Sequence, residues 1–247
     1  LDFGTGPFAN GTIIQVHRND PNNPDNAFVN VAFPGFVGAI TGISQHGIGI
    51  SEKVYMVYGP RSIQPGNYKG IPDPFMLRNI LEYSKTKEDA IAYMQTVPRT
   101  WAMWVGVGDY ASQQLNLVAY KEQSAIAYND QTMEPMNGQP IIPEVCYVDK
   151  HPQPSHDGVN GTLPTALNDF YGKINPFTAK QIVQYHETGD VHWATYDFGA
   201  KEMQVAIGKT NSKGAYCPED ACTDDSVWKA YNRPSTNFVL ADLWEGI

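Results

Sequence analysis

An α+β fold, with two antiparallel sheets and helices stacked outside them, is what this sequence predicts. Strand-like and helix-like segments come in blocks: a β-run, a helix pair, a second β-run, a second helix pair and a β-hairpin. Neither helix pair lies between two strands in the manner of a parallel-sheet crossover, which excludes a doubly wound sheet. Stacking helices outside two sheets would bury every apolar face. With 42% hydrophobic and only 17% charged residues, 247 positions can build the core of one large domain.

The first β-run spans residues 11–58, with strands expected in "TIIQVH", "AFVNVAF", "FVGAIT" and "IGISEKVYMVY". "RNDPNNPDN", residues 18–26, is too polar and proline-rich to be anything but a surface loop. Within "NVAFPGFVGAITGISQHGIGISEK", glycines interrupt short apolar runs. Such glycines mark bends or close backbone approaches, read here either as the turns of an ordinary antiparallel meander or as a tightly packed sheet whose edge opens on a site. The pattern then turns helical. Asp73 is placed to cap "PFMLRNILEYSK", with Pro74 at the first helical position. Thr86 and Asp89 form an Asp variant of the capping box at the head of "KEDAIAYMQTV". Strands resume in "TWAMWVGVGD", "QQLNLVAYKE" and "SAIAYND". A second helical pair follows, over roughly 162–172 and 176–186, and then the hairpin "VHWATYDFGAKEMQVAIG" with its turn near Gly199 and Ala200. The tail from 209 onward reads as loop-rich.

Several function classes are excluded by composition and motif. A net charge of −9 argues against a nucleic-acid backbone as partner. No apolar run reaches bilayer-spanning length. Gly-X-Ser-X-Gly, Walker-type and dinucleotide-binding patterns are absent, and Gly47-Ile48-Gly49 reads as strand packing. His151 and His156 lie five apart in a proline-rich loop without a carboxylate cluster, a poor metal geometry. Asp190 and His192 fall two apart, read as a turn aspartate and a half-buried histidine.

Cys217 and Cys222 enclose Pro-Glu-Asp-Ala, a spacing that a short-loop disulfide would close. Cys146 is left as a buried thiol or the partner of a cysteine outside this chain. Two sequons, Asn10-Gly11-Thr12 and Asn160-Gly161-Thr162, sit beside glycine in expected turns. With the cysteine pair they favour a secreted or lysosomal glycoprotein. The chain opens at Leu1 with neither Met nor signal sequence, as a processed, truncated or incompletely read polypeptide would. Three carboxylates stand out by position: Asp2, Glu52 at the end of the glycine-rich run, and Asp149, with Lys150 and His151 beside it.

"LDFG", "GFVGAITGISQHGIGISEK" and "GIPDPFMLRNILEYSKTKEDAIAYMQTVPR" resemble the acid ceramidase-like family of N-terminal nucleophile hydrolases. That family includes N-acylethanolamine acid amidase and the penicillin acyltransferase-type peptidases. "YVDKHPQPS" and "TGDVHWATYDF" resemble its Dcd1-type branch from protists. The resemblance covers roughly residues 1–208 and implies a four-layer αββα sandwich. It implies a single domain over 1–247, the large chain of an enzyme that matures by self-cleavage. The nucleophilic Cys would lie about twenty residues upstream of Asp2, a hairpin's length. Leu1-Asp2 match the end of the family's Gly-Arg-Asn-Leu/Met-Asp motif, so the N-terminal segment or pro-chain is an implied partner.

By the same resemblance Asp2 holds the α-amino group and the Cys, and Glu52 lines that pocket. The family's oxyanion donor, an Asn in a Thr-Asn-Tyr-Asp motif, falls near Tyr147-Val148-Asp149-Lys150-His151, where no Asn is found. An ionised Asp149 cannot donate, so Lys150, His151 or a backbone N–H would substitute. Phe33, Phe36, Trp101 and Trp104 are candidates for an acyl pocket, with core packing the alternative for each. The implied reaction is hydrolysis of a linear N-acyl or lipid amide through a thioester, with no cofactor or metal. Deacylation of an ester or phospholipid, and a non-catalytic binding protein of the same fold, remain open beside it.

Overall fold

The computed structural model describes residues 10–54, 69–100, 102–134, 140–148, 163–185, 188–210 and 229–244. The chain divides into two compact units, one of Ile14–Ala32, Phe36–Lys150 and Trp244–Ile247, the other of Leu1–Ile13, Phe33–Gly35 and His151–Leu243.

The first unit is built on a meander. Strands β1 (Ile13–His17), β2 (Phe28–Ala32), β3 (Thr41–Ser44), β4 (Ile48–Val54), β5 (Met103–Asp109), β6 (Leu115–Lys121) and β7 (Ser124–Tyr128) lie side by side in chain order. Every pair from β2 to β7 is antiparallel. Helices α1 (Asp73–Tyr83) and α2 (Lys87–Thr96) cover one face. That face presents Ile48 and Ile50 of β4, Met103, Val105 and Val107 of β5, and Val118 and Tyr120 of β6 to Met76, Leu77, Ile80 and Leu81 of α1 and Met94 of α2. The α1 residues recur at three- and four-residue spacing, the stripe that lets a helix bury one side.

The helix starts follow local chemistry. Thr86 Oγ1 accepts from the Asp89 N–H at 3.1 Å, and Asp89 Oδ2 accepts from the Thr86 N–H at 3.0 Å, so the expected capping box is present. Asp73, however, is the first helical residue of α1 and not its cap. Pro72 precedes the helix, and its carbonyl accepts from the N–H groups of Phe75 and Met76.

A second difference concerns β3. "FVGAIT" was expected to be a strand, yet the strand begins at Thr41. Residues 38–40 turn to other partners. The Asn30 side chain, wholly buried on β2, donates to the Gly38 carbonyl at 3.0 Å and accepts from the Ile40 N–H at 3.1 Å. The Ala39 N–H donates to the Pro74 carbonyl at 2.8 Å. A side chain and a helix terminus thus take the hydrogen bonds that a neighbouring strand would need.

The glycines here serve the helix and a turn. A Cβ at Gly42 would collide with the Val29 carbonyl oxygen and stand 2.8 Å from Leu81 of α1. Gly47 has φ +80° in the β3–β4 turn, and a Cβ there would collide with the Tyr110 ring. At these two positions the close approach is within the first unit, in an antiparallel meander with a glycine turn, one of the two readings its sequence allowed.

The second unit carries the other antiparallel sheet: β8 (His192–Asp197), β9 (Glu202–Ile207) and β10 (Thr236–Val239), with β9 central. Helices α3 (Leu163–Asp169) and α4 (Pro176–Tyr185) match the expected pair, and α5 (Leu240–Trp244) follows β10. Asn175 heads α4, its Oδ1 accepting from the N–H groups of Phe177 and Thr178. Trp193 and Ala206 pack with Ala230, Tyr231 and Val183, and the Trp193 indole N–H donates to the Ala230 carbonyl at 3.1 Å. Within the tail expected to be loop-rich, strand β10 and helix α5 are regular elements that the sequence pattern did not mark. The sequence of β10 has only four residues, and its partner β9 lies more than thirty positions away.

Candidate active site

Strand β4 ends in the half-buried Glu52. The register sets its environment. Glu52 stands opposite Val105, and Ser51 and Lys53 stand opposite Gly106 and Trp104. Side chains alternate along a strand, so Glu52 leaves the sheet on the face of Ile48 and Ile50, the face under α1 and α2. The other face carries Ser51, Lys53 and Trp104.

On that other face Trp104, Leu117, Ala119 and Met133 form a second buried cluster, against which Tyr128, Cys146 and Val148 pack. Trp104 is 5% exposed, so it is a core residue of this unit; its ring centroid lies 6.3 Å from that of Tyr128. Phe33 and Phe36 are half-buried. The Tyr147 hydroxyl donates to the Pro140 carbonyl at 2.5 Å. Residues 146–148, which lead into Asp149, therefore run along the face opposite to that from which Glu52 emerges.

Cys146 is not built as a nucleophile. Its Sγ lies 3.6 Å from the Met133 sulfur and 3.8 Å from the Tyr128 carbonyl. Burial pushes the thiol up to about 11, a hydrogen bond with the Leu117 backbone opposes this, and the charge of Asp130 adds to it. A thiol held there is almost wholly protonated at neutral pH, and the thiolate is the reactive form. Among the described residues Cys146 is a half-buried thiol in no disulfide.

In the second unit the structure separates the roles of Asp190 and His192. Asp190 precedes β8; its carboxylate lies 3.8 Å from Lys229 Nζ and its carbonyl accepts from the Ala230 N–H. His192 is 1% exposed, fully buried where half-burial was expected. Asn10 is tied to Thr210 by its side-chain amide, which donates to the Thr210 carbonyl at 2.9 Å and accepts from the Thr210 N–H at 2.9 Å. Sequence reasoning saw only a sequon there; nothing in the pattern marks a partner 200 residues on.

Asp2, Asp149, Lys150, His151, Asn160, Trp101, Cys217 and Cys222 lie outside the described residues, and so does His156. Of the four expected catalytic residues the structure thus places Glu52. Among the described residues no three His, Cys, Asp or Glu side chains converge to hold a metal ion, and no helix is long and apolar enough to cross a membrane.

Two antiparallel sheets, one a seven-stranded meander under a helix hairpin, define the class: this is the fold of the N-terminal nucleophile hydrolases. A Caenorhabditis elegans N-acylethanolamine-hydrolyzing acid amidase ortholog is similar, with a TM-score of 0.53 over 93% of this chain and 92% of its own, at 14% identity. A variant of conjugated bile acid hydrolase from Clostridium perfringens matches with a TM-score of 0.50 over 86% and 84%, at 10% identity. In sequence, the chain is similar to two Dcd1 proteins of Dictyostelium discoideum. Protein dcd1B is 32% identical over 253 residues, covering 99% of this chain, and protein dcd1A is 28% identical over 255 residues, covering 98%. The chain spans 48% and 54% of those proteins, about half the length of the curated relatives it matches. No family model matches it. The resemblance to the Dcd1-type branch is borne out.

Proposed function

We propose that this chain is the body of an N-terminal cysteine amidohydrolase that cleaves a linear N-acyl or lipid amide through a thioester acyl-enzyme. The observation that carries the proposal is the shared fold with an N-acylethanolamine-hydrolyzing amidase ortholog over nearly the whole of both chains. The family pattern of the sequence supports it. In this mechanism the cysteine, upstream of Leu1, attacks the amide carbonyl, and its own α-amino group takes the thiol proton. An α-amino pKa near 8 suits that transfer close to neutral pH. Asp2 orients the ammonium and the thiol. Lys150, His151 or a backbone N–H donates to the oxyanion, since an ionised Asp149 has no proton to give. The ammonium returns that proton to the amine nitrogen as the C–N bond breaks and the amine leaves. Water then hydrolyses the thioester to release the acid and restore the thiol.

Glu52 is assigned to the same pocket. The chemistry needs neither metal nor cofactor. The whole of 1–247 is proposed as one catalytic domain, completed by the N-terminal segment, in a secreted or lysosomal protein with a Cys217–Cys222 bond and a sugar on Asn160.

The test is hydrolysis by purified full-length protein of a panel of N-acyl amides at acidic and neutral pH. Amide turnover that falls about 100-fold or more in Asp2→Asn, with little change in melting temperature, is the expected result. Absence of turnover on every amide would favour a binding protein of the same fold, and turnover confined to esters would favour the deacylase. Glu52→Gln at the wild-type rate would remove Glu52 from the site.

A further inference from the structure

We propose that Asn10 is a positioning residue that clips the N-terminal segment to the chain beyond β9, and that its amide is kept free of sugar despite the sequon. The positioning half rests on the reading of that segment as the carrier of Asp2; the clip itself does not.

The geometry is specific. Asn10 uses both ends of its carboxamide on one residue, Nδ2 to the Thr210 carbonyl and Oδ1 from the Thr210 N–H, each at 2.9 Å. This is the pairing that a neighbouring strand would offer a backbone, supplied by a side chain. Flipping the amide would set oxygen against oxygen and N–H against N–H, so the pairing fixes its orientation. Thr210 is 3% exposed, which leaves water little access to the main-chain groups that Asn10 satisfies. Thr210 is also held on a short leash. The Gly208 N–H donates to the Val191 carbonyl at 2.7 Å, and a Cβ at Gly208 would collide with the Asp190 carbonyl oxygen. The main chain there lies too close to the start of β8 for anything but glycine. The anchored residue stands eight positions after Asp2.

The clip and a glycan compete for the same hydrogen. A sugar on Nδ2 makes the side chain a secondary amide, and secondary amides are trans. In that form the sugar carbon sits on the same side of the C–N bond as Oδ1. A carboxamide that bonds both the N–H and the C=O of one residue must donate the hydrogen on that very side. Sugar and clip therefore exclude each other. Asn10 is exposed, so burial leaves room for a sugar; folded protein in which the clip is formed carries none there. Thr12, the other sequon residue, is buried at 8% exposure.

The experiment uses full-length protein from a glycosylating host. Peptide mass mapping should find Asn10 bare. Hydrogen exchange should find the Thr210 amide at least about tenfold faster in Asn10→Ala, where its acceptor is gone. It should stay within about twofold of wild type in Thr12→Val, which abolishes the sequon and keeps the carboxamide. For positioning, Asn10→Ala should lower kcat about tenfold with KM little changed, and Thr12→Val should leave both near wild type. A sugar found on Asn10 of folded protein, or Thr210 exchange unmoved by Asn10→Ala, overturns the clip. Faster exchange with kcat intact overturns the positioning role. If wild-type protein hydrolyses no amide, the amidase reading fails, whereas mapping and exchange still decide the clip.

Discussion

Asp109, at the end of β5, is a carboxylate that accepts from three donors. It is 3% exposed and accepts from the Lys87 N–H at 3.0 Å and the Ser112 N–H at 2.8 Å, with the Ser112 hydroxyl also bonded to it. Burial opposes its ionisation, but the bonds from Ser112 and Lys87 outweigh burial and hold its carboxyl below the usual range. A depressed folded-state pKa adds stability that is present above the unfolded value near 4 and is lost as pH falls through the folded value. Asp109→Asn should therefore cost about 1–3 kcal/mol at neutral pH, a cost that shrinks in acid; urea midpoints measured against pH check it. His17 works in a higher window. Its ring stacks on Phe28 at 4.1 Å, and burial, with the charge of Arg78, lowers its pKa against the opposing effect of Glu82. Stability from a neutral His17 is present above about pH 6.5 and is lost as pH falls from there. His17→Phe should flatten the pH dependence of the melting temperature below 6.5. None of this was legible beforehand. A strand aspartate and a strand histidine look alike in sequence whether or not a helix N–H or an aromatic ring meets them, because those partners arrive through tertiary contact.

At the scale of elements, sequence served best where the determinant is local. Thr86 and Asp89 announced the head of α2 because a capping box needs only four consecutive residues. Thr86→Ala should lower stability by about 1 kcal/mol in chemical denaturation. Legibility failed where distant groups took over a backbone. The expected strand over "FVGAIT" lost its central residues to Asn30 and Pro74, and β10 is held by β9, a partner its own four residues do not name. Gly42 shows both sides of this. Its residue type signalled a close approach, but only the structure shows that the neighbours are Leu81 of α1 and the Val29 carbonyl. Gly42→Ala is expected to destabilise by about 1–3 kcal/mol, because the backbone oxygen cannot yield as a side chain can. A melting temperature equal to wild type would mean that β2 and α1 shift freely there.

Over the whole molecule, block order was enough to give the α+β class and both antiparallel sheets, since each block is a run of short-range periodicity. The site was less legible. Glu52 was singled out by its place at the end of the glycine-rich run, but its face depends on register, which a sequence does not display. Cys146 offered a thiol, and its packing against Met133 and Trp104 withdraws it from chemistry. The central claim is that an upstream cysteine forms a thioester, and one measurement addresses it directly. Full-length protein mixed with an N-acyl amide and quenched in acid during turnover should show, by intact mass and peptide mapping, an acyl group on that cysteine. The adduct should be removable by hydroxylamine and undiminished in Cys146→Ser. Amide turnover with no acylated cysteine at any time, or an acyl group found on Cys146, would contradict the account.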